Sequence, residues 1–572
     1  MISSQFQVSS TKTAAAHLSV GTTLGSKALF LSIFIVYVIL RLIAWQKTVL
    51  VEDHDSLVYL DQIKIFRTFD LQKIIHMDGF TTQFYPFFAT LLSWPGWSVE
   101  TSARFCSLLF SSLLFLSVLG IGKRIAGTKG SAFGLIILTV SPILIAFSFS
   151  ILAEPSYVAL IYAGFWVFWT QYENPKFWKA GLLGVIFGLA FLTRIEALLN
   201  LFAIPFLQGV FTFLGHRKKD SLKRFVGWTT IFALSFFLLA GLQVWRVSRK
   251  FGYFAIDERQ VWTVARGVLD GKSYEEQING LTFSPSQINV DYIRTHPEIQ
   301  SQFASNASIK EVVGKSAKTV VFNLDDLYRN KLNILIGPLG LLFFFAGLFA
   351  LYKSGRPWDG FLVLAFIALN SIGPLLYQVQ VRYIAVITPL MMLVEGIGIV
   401  ELAGAVATLW KRGSARKNTL CLVFLSVLLA TWALPLYWFY TSTRTFNGEY
   451  SPASLQEPAR IIKTIAEKEL VRPPTLSARK GYLIYYAGAK PEALPYTDIQ
   501  GLTRFCELNG VDFLFLEYRL IQGYPFLGAF AGGKPPAGFV LLYRGTDAFG
   551  GKMELYRFQK NSRGASERSG EL

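Results

Sequence analysis

The chain has 572 residues, 52% of them hydrophobic, 15% aromatic and only 16% charged, with a formal net charge of +18 and 50 Phe. An average soluble domain carries roughly 25% charged residues, so a mean hydropathy of +0.41 excludes a water-soluble fold, and with it disorder, collagen and coiled coil. The chain reads as a polytopic membrane protein.

The positive charge is concentrated in short segments. Residues 1–27, 123–130, 172–180, 215–224, 353–360 and 410–418 carry +2, +3, +1, +4, +1 and +4, fifteen of the eighteen net charges. Excess Lys and Arg in short loops marks the cytoplasmic side of a membrane, so this charge is topogenic and no nucleic-acid partner is expected. A crossing helix needs about 20 mostly apolar residues. The candidates are 28–46, 104–122, 131–151, 155–171, 181–193, 197–214, 225–245, 333–352, 361–377, 384–408 and 419–440. With the N-terminus inside, these eleven crossings put every basic segment in the cytoplasm and the C-terminus outside. Residues 28–46 contain Arg41 and no small-residue cleavage site, so they form a helix rather than a signal peptide. Counting 80–97 as a crossing would export the basic loops, so that run is re-entrant or interfacial, with Trp94 and Trp97 as anchors.

The expected fold class is therefore an α-helical polytopic membrane protein with a small α/β extracytoplasmic C-terminal domain. Residues 1–27 form a cytoplasmic segment and 28–440 the transmembrane body, with outer loops 47–103 and 246–332. Residues 441–560 form the outer α/β domain, with a helix at 455–469 and strands at 511–517, 538–544 and 552–558. Residues 561–572 form a disordered tail. Cys106, Cys421 and Cys506 are too few for a disulfide framework. Asn306-Ala307-Ser308 matches a glycosylation acceptor on three residues alone.

The first outer loop crowds Glu52, Asp53, His54 and Asp55 at the end of a membrane helix, followed by apolar residues at 57, 60, 63 and 66. That spacing predicts an amphipathic interfacial helix. Asp55 suits its N-cap; alternatively, a carboxylate fixed at the membrane face acts as a general base, its pKa raised by like charges. Glu154 precedes Pro155 between two apolar runs, where it can cap a helix. Arg194 and Glu196 interrupt an apolar stretch, and a broken helix with charges at its break suits only a protein-enclosed cavity. The plainer reading of this pair is a local ion pair. Arg104 and Arg382-Tyr383 stand at outer helix ends, against the topogenic trend, as candidates for binding an anion such as phosphate. P-loops, GxGxxG, HExxH and Ser/His/Asp signatures are absent.

Taken in order, these residues resemble the membrane-embedded GT-C glycosyltransferases, closest to the bacterial branch similar to dolichyl-phosphate-mannose protein mannosyltransferases and the lipid A aminoarabinose transferase. Asp55-Ser56-Leu57-Val58-Tyr59-Leu60 is like the family's acidic D(S/E)xxY element, and Phe84-Tyr85-Pro86 is like its PLYP element. Arg104, Ser141-Pro142, Glu154-Pro155, the run Gly188 to Glu196 (like GLAxLTRPE) and Arg382-Tyr383 complete the set. The family often has His-Pro-Pro before Leu-Tyr where this chain has Thr82-Gln83-Phe84-Tyr85, and Ile195 replaces the usual Pro.

The resemblance implies sugar transfer from a polyprenyl-phosphate donor to an acceptor hydroxyl of a protein, lipid or polysaccharide, at the outer face of the bacterial inner membrane. Asp55, or Asp53, is the expected base. Glu52, His54, Tyr59, Tyr85, Arg104, Glu154, Arg194, Glu196, Arg382 and Tyr383 are expected to line the substrate site, with a divalent metal left open. The alternative is a transporter or lipid flippase, for which an internal repeat and ionisable residues near the bilayer midplane would be expected. No repeat is apparent, and the acids sit at the outer face.

Overall fold

The structure, a computed structural model, describes residues 24–47, 54–77, 83–215, 221–252, 254–258, 320–376, 381–410, 414–443, 452–479, 481–495, 497–519, 521–531, 534–547 and 550–559. The expectations for 1–23, for Glu52 and Asp53, for Asn306–Ser308 and for the tail lie outside these residues.

The apolar runs become helices in chain order. Helix α1 (Leu24–Lys47) is followed by the first-loop helices α2 (His54–Arg67), α3 (Leu71–His76) and α4 (Phe84–Ser93). Then come α5 (Val99–Ile125), α6 (Gly127–Val140), α7 (Pro142–Phe147), α8 (Glu154–Trp169) and α9 (Phe177–Phe191). A 3-10 turn (Ile195–Leu198) leads into α10 (Leu199–Gly215) and α11 (Ser221–Phe251). Beyond residues 259–319 follow α12 (Leu332–Ile336), α13 (Gly340–Lys353), α14 (Pro357–Leu376), α15 (Val381–Ile384), α16 (Thr388–Leu409) and α17 (Ser414–Thr443). Among the described residues, six helices are long and apolar enough to cross a membrane, and α6, α9 and α13 are shorter apolar helices. This is a multi-pass membrane protein.

Three of the predicted crossings are broken rather than continuous, at Pro142 between α6 and α7, at Pro338 between α12 and α13, and at Pro389 where α16 begins. Proline lacks the N–H that would continue the ladder, and hydropathy alone runs straight across it. Among the described residues of the suspect run 80–97 the helix is the ten-residue α4. At 1.5 Å per residue it reaches about 15 Å, half of a bilayer core of about 30 Å. Trp94 and Trp97 at its end are exposed, as interfacial anchors require. Arg41 is buried: its Nη1 donates to the Thr139 and Tyr37 carbonyls, each at 3.1 Å, and its guanidinium lies over the Tyr37 ring. The body is closed by backbone contact between α13 and α16. A Cβ at Gly347 would overlap the Val394 carbonyl, and one at Gly398 the Phe343 carbonyl. Such close approach gains packing where lipid offers no hydrophobic drive between helices.

The C-terminal part contains α18 (Pro452–Glu469), β1 (Thr475–Ala478), α19 (Tyr482–Ala487), β2 (Lys490–Ala493), α20 (Ile499–Leu508), β3 (Phe513–Glu517), α21 (Leu527–Ala531), β4 (Phe539–Thr546) and β5 (Lys552–Phe558). The sheet order is β2-β1-β3-β5-β4, with β1 parallel to β2 and β3 and the remaining pairs antiparallel. The pattern gave β3, β4 and β5 but missed β1 and β2, four residues each. Pro491 argues against a strand unless it is at an edge, and β2 is the edge. The short helix α19 packs on α18 and reaches α2. Its Tyr485 hydroxyl donates to the Glu100 carboxylate at the start of α5, and Lys64 Nζ of α2 lies 5.2 Å from the Tyr485 ring centre. Burial and that carboxylate hold the Tyr485 phenol above its ordinary range. The sheet thus docks on the same end of the helices as the first loop.

Candidate active site

The site grows out of the break after α9. Thr193 turns its hydroxyl back onto the Leu189 carbonyl at 2.8 Å, and Arg194 leaves the helix extended (φ −155, ψ 134). A carbonyl freed at membrane depth needs a new partner. Leu192 finds it in the amide of Phe84, at 2.8 Å, which pins α4 to the break. Arg194, projected from this extended residue, joins two carboxylates. Its Nη1 is 2.7 Å from Glu154 Oε1, its Nη2 2.7 Å from Glu196 Oε1, and its Nε 3.3 Å from Glu196 Oε2. The guanidinium also lies 4.5 Å from the centre of the Tyr383 ring.

Arg382, on α15, extends the chain of charges. Its Nη1 is 3.0 Å from Asp55 Oδ2, its Nε 3.9 Å from Glu154 Oε1, and its Nη2 3.0 Å from the Tyr383 hydroxyl. Two guanidiniums therefore alternate with three carboxylates, Asp55–Arg382–Glu154–Arg194–Glu196. Arg382, Glu154, Arg194 and Glu196 line a narrow recess of about 20 Å³ walled also by Tyr157, Asn200, Asn370 and Pro374, and Asp55 is tied to its edge through Arg382. The members differ in access. The side chains of Asp55 and Glu196 are 33% and 27% exposed and that of Glu154 only 5%, so the two ends of the chain of charges are the accessible ones.

Six of the predicted residues meet here: Asp55, Glu154, Arg194, Glu196, Arg382 and Tyr383. Two capping expectations are corrected. Asp55 lies in the first turn of α2, one residue past its start at His54, and its carboxylate goes to Arg382 instead of capping. Glu154 opens α8 with Ala153 as its N-cap, and turns to Arg194. The plain pair of Arg194 with Glu196 is present, and Glu154 makes it a triad. Tyr59, Tyr85 and Arg104 line no part of the recess. Tyr59 and Tyr85 meet edge to face at 5.2 Å, and the Tyr85 hydroxyl donates to the Ala103 carbonyl at 2.9 Å. Arg104 lies inside α5, which begins five residues before it, and is 2% exposed. All three build the wall that carries α2 and α4. His54 starts α2. Cys106, Cys421 and Cys506 are buried and unbridged.

Asn200, Asn370 and Tyr157 escaped the sequence reading, since an amide or phenol in an apolar run carries no charge to mark it. A second charged cluster was also missed. Arg246 and Lys250 of α11 grip Glu258 at 2.8 and 2.7 Å and donate to the Met77 carbonyl, with Arg246 also reaching that of Ile75. All three charged residues are buried. Arg246 and Lys250 are spaced i, i+4, so they share one face of α11. The cluster anchors the first loop at the Ile75 and Met77 carbonyls. Among the described residues no three His, Cys, Asp or Glu side chains are placed to hold a metal ion. The carboxylates of the recess are committed to guanidiniums, a donor set that does not fit a divalent cation.

Residues 84–245 match the family Dolichyl-phosphate-mannose-protein mannosyltransferase. That stretch runs from α4 through the broken helix and Arg194 to α11. Two solved structures share the architecture across nearly the whole chain. The archaeal oligosaccharyltransferase AglB from Archaeoglobus fulgidus, in complex with an inhibitory peptide and a dolichol-phosphate, aligns with TM-score 0.57 and 11% identity over 93% of this chain and 74% of its own. ArnT from Cupriavidus metallidurans bound to undecaprenyl phosphate aligns with TM-score 0.54 and 13% identity over 94% and 98%. The chain shares the GT-C-like fold of these two structures. No curated protein sequence matches it significantly. The resemblance read from the motifs is borne out, and the GT-C fold explains why residues far apart in sequence converge on one recess at the ends of broken helices.

Proposed function

We propose that the protein is an integral-membrane glycosyltransferase that takes a sugar from a polyprenyl-phosphate carrier and passes it to an acceptor hydroxyl at the outer face of the plasma membrane. The observation that carries this reading is the alternating charge chain from Asp55 to Glu196, with its most accessible carboxylate, Asp55, held against a cation. Solved proteins of the same fold hold dolichol-phosphate or undecaprenyl phosphate, which supports a lipid-phosphate ligand. A leaving phosphate monoester has a second pKa near 6, so it departs without a strong acid. The chemistry left to the protein is to deprotonate the acceptor and to hold the phosphate.

Arg382 is the cation assigned to the phosphate, because its Asp55 contact is partly exposed and replaceable. A phosphate taking Asp55's place on Arg382 frees that carboxylate to act as the base. The acceptor oxygen then bonds to the anomeric carbon from the face opposite the phosphate. The carbon–oxygen bond to phosphate breaks with its electron pair, and the acceptor proton passes to Asp55. The anomeric centre inverts. Arg194, tied between Glu154 and Glu196, is assigned to shaping the recess rather than to the phosphate. Residues 441–560 are assigned as an outer domain, on the same side as Asp55, and 28–440 as the catalytic membrane body.

Two measurements test the reading. Mass spectrometry of glycolipids and glycoproteins from a deletion strain is expected to show one glycan lost or shortened; an unchanged envelope glycome would sink it. Cysteine labelling with an impermeant reagent is expected to find 215–224 and 410–418 inside and single cysteines across 450–560 outside. Labelling of the C-terminal sheet from the cytoplasm removes the argument for a lipid-linked donor, since nucleotide sugars are available on that side.

A further inference from the structure

Helix α16 carries a carboxylate that the recess does not use. Glu395 sits two turns inside α16, is 0% exposed, and neither of its oxygens has a hydrogen-bond partner. It faces the joint of a broken helix. A Cβ on Gly340, the first residue of α13, would stand 3.1 Å from Glu395 Oε1, and the turn before it contains Gly337 at φ +77 and Pro338. Charged groups on the elements packed against α16 are engaged elsewhere. Lys129 of α6 bonds Asn418, Arg124 of α5 pairs with Glu173, and Lys353 of α13 pairs with Glu401, the other charge on α16. Lys417 of α17 lies beside Gly404 of α16, nine residues further on.

An ionised carboxylate buried without a partner costs several kcal/mol even after relaxation, whereas the neutral acid keeps one donor and its acceptors. Two oxygens in a dry contact are far from the six or more that a hard cation collects. We propose that Glu395 is a proton-binding site within the membrane helices, seated at the joint between α12 and α13. Intramembrane acids of this kind are functional candidates by default, and gain or loss of this proton acts at the Gly337–Pro338 turn that joins those two helices. The inference is independent of the sugar-transfer reading.

The test is covalent. The proton of a neutral carboxylic acid adds to one nitrogen of an apolar carbodiimide while the carboxyl oxygen bonds to the central carbon. The resulting O-acylisourea rearranges to a stable N-acylurea, with no atom lost. Full-length protein in membranes, treated with dicyclohexylcarbodiimide, is expected to carry this adduct on Glu395 by peptide mass spectrometry, and to acquire it more slowly as pH rises. A water-soluble carbodiimide is expected to label exposed acids such as Glu457 and to leave Glu395 untouched. Glu395→Gln, which keeps the shape of the neutral acid, is expected to fold and to lose only this adduct. Absence of the apolar adduct on the wild-type chain overturns the proposal, and so does equal labelling by the soluble reagent.

Discussion

Replacing Asp55 with Asn is expected to reduce turnover by at least about a hundredfold, the lower end of what general-base assistance supplies, with the chain folded and inserted normally. Asn keeps the size of the side chain but cannot accept the acceptor proton. The geometry adds a second, opposite expectation. Asp55 Oδ2 stands 3.0 Å from Arg382 Nη1, so in the wild type the carboxylate competes with phosphate for that guanidinium. Removing the competitor should leave undecaprenyl phosphate binding unchanged or tighter while turnover collapses. A merely structural Asp55 would lose both together. Near-normal turnover of Asp55→Asn, with loss in Asp53→Asn, would move the base two residues upstream. Activity in both variants would remove a base from this loop.

Arg194→Ala is expected to act on the fold first. It leaves Glu154 and Glu196 as neighbouring carboxylates in a largely buried recess, and breaking a buried charge pair costs about 3–5 kcal/mol. Arg194→Lys keeps the charge but replaces three directed N–H groups by one point charge, so it should recover stability only in part. Thermal melting of the purified variants, alongside undecaprenyl phosphate binding, separates the roles. A large drop in melting temperature with residual binding in the folded fraction fits an organiser of the recess. Normal melting with lost binding would instead make Arg194 the phosphate ligand. A stable, fully active Arg194→Ala chain would remove it from the site.

The apolar helices were legible because each is a sum over many residues: a run of twenty apolar side chains survives one misread position. The prolines at 142, 338 and 389 broke three of the runs without lowering their hydropathy. Charged residues of the recess were legible too, since each is costly in an apolar stretch and must have a reason to be there. Their partners were not. Arg194 to Glu154 spans forty positions and Arg382 to Asp55 spans 327, and nothing local in the chain encodes such a meeting. The same limit hid the grip of Arg246 and Lys250 on Glu258, since all three fell in the expected loop 246–332. Strands β1 and β2 were missed because four residues are too few to show an alternation.

The docking of Tyr485 on Glu100 and Lys64 has a mechanical meaning. Lys64 and Asp55 lie on the same fourteen-residue helix, nine positions or about 13.5 Å apart. Leu57, Leu60 and Ile63 seat that helix on the body between the two points. Such a rod transmits tilt better than it bends. Whatever presses on the C-terminal sheet is therefore applied, through one aromatic foot, to a lever whose far end carries the carboxylate beside Arg382.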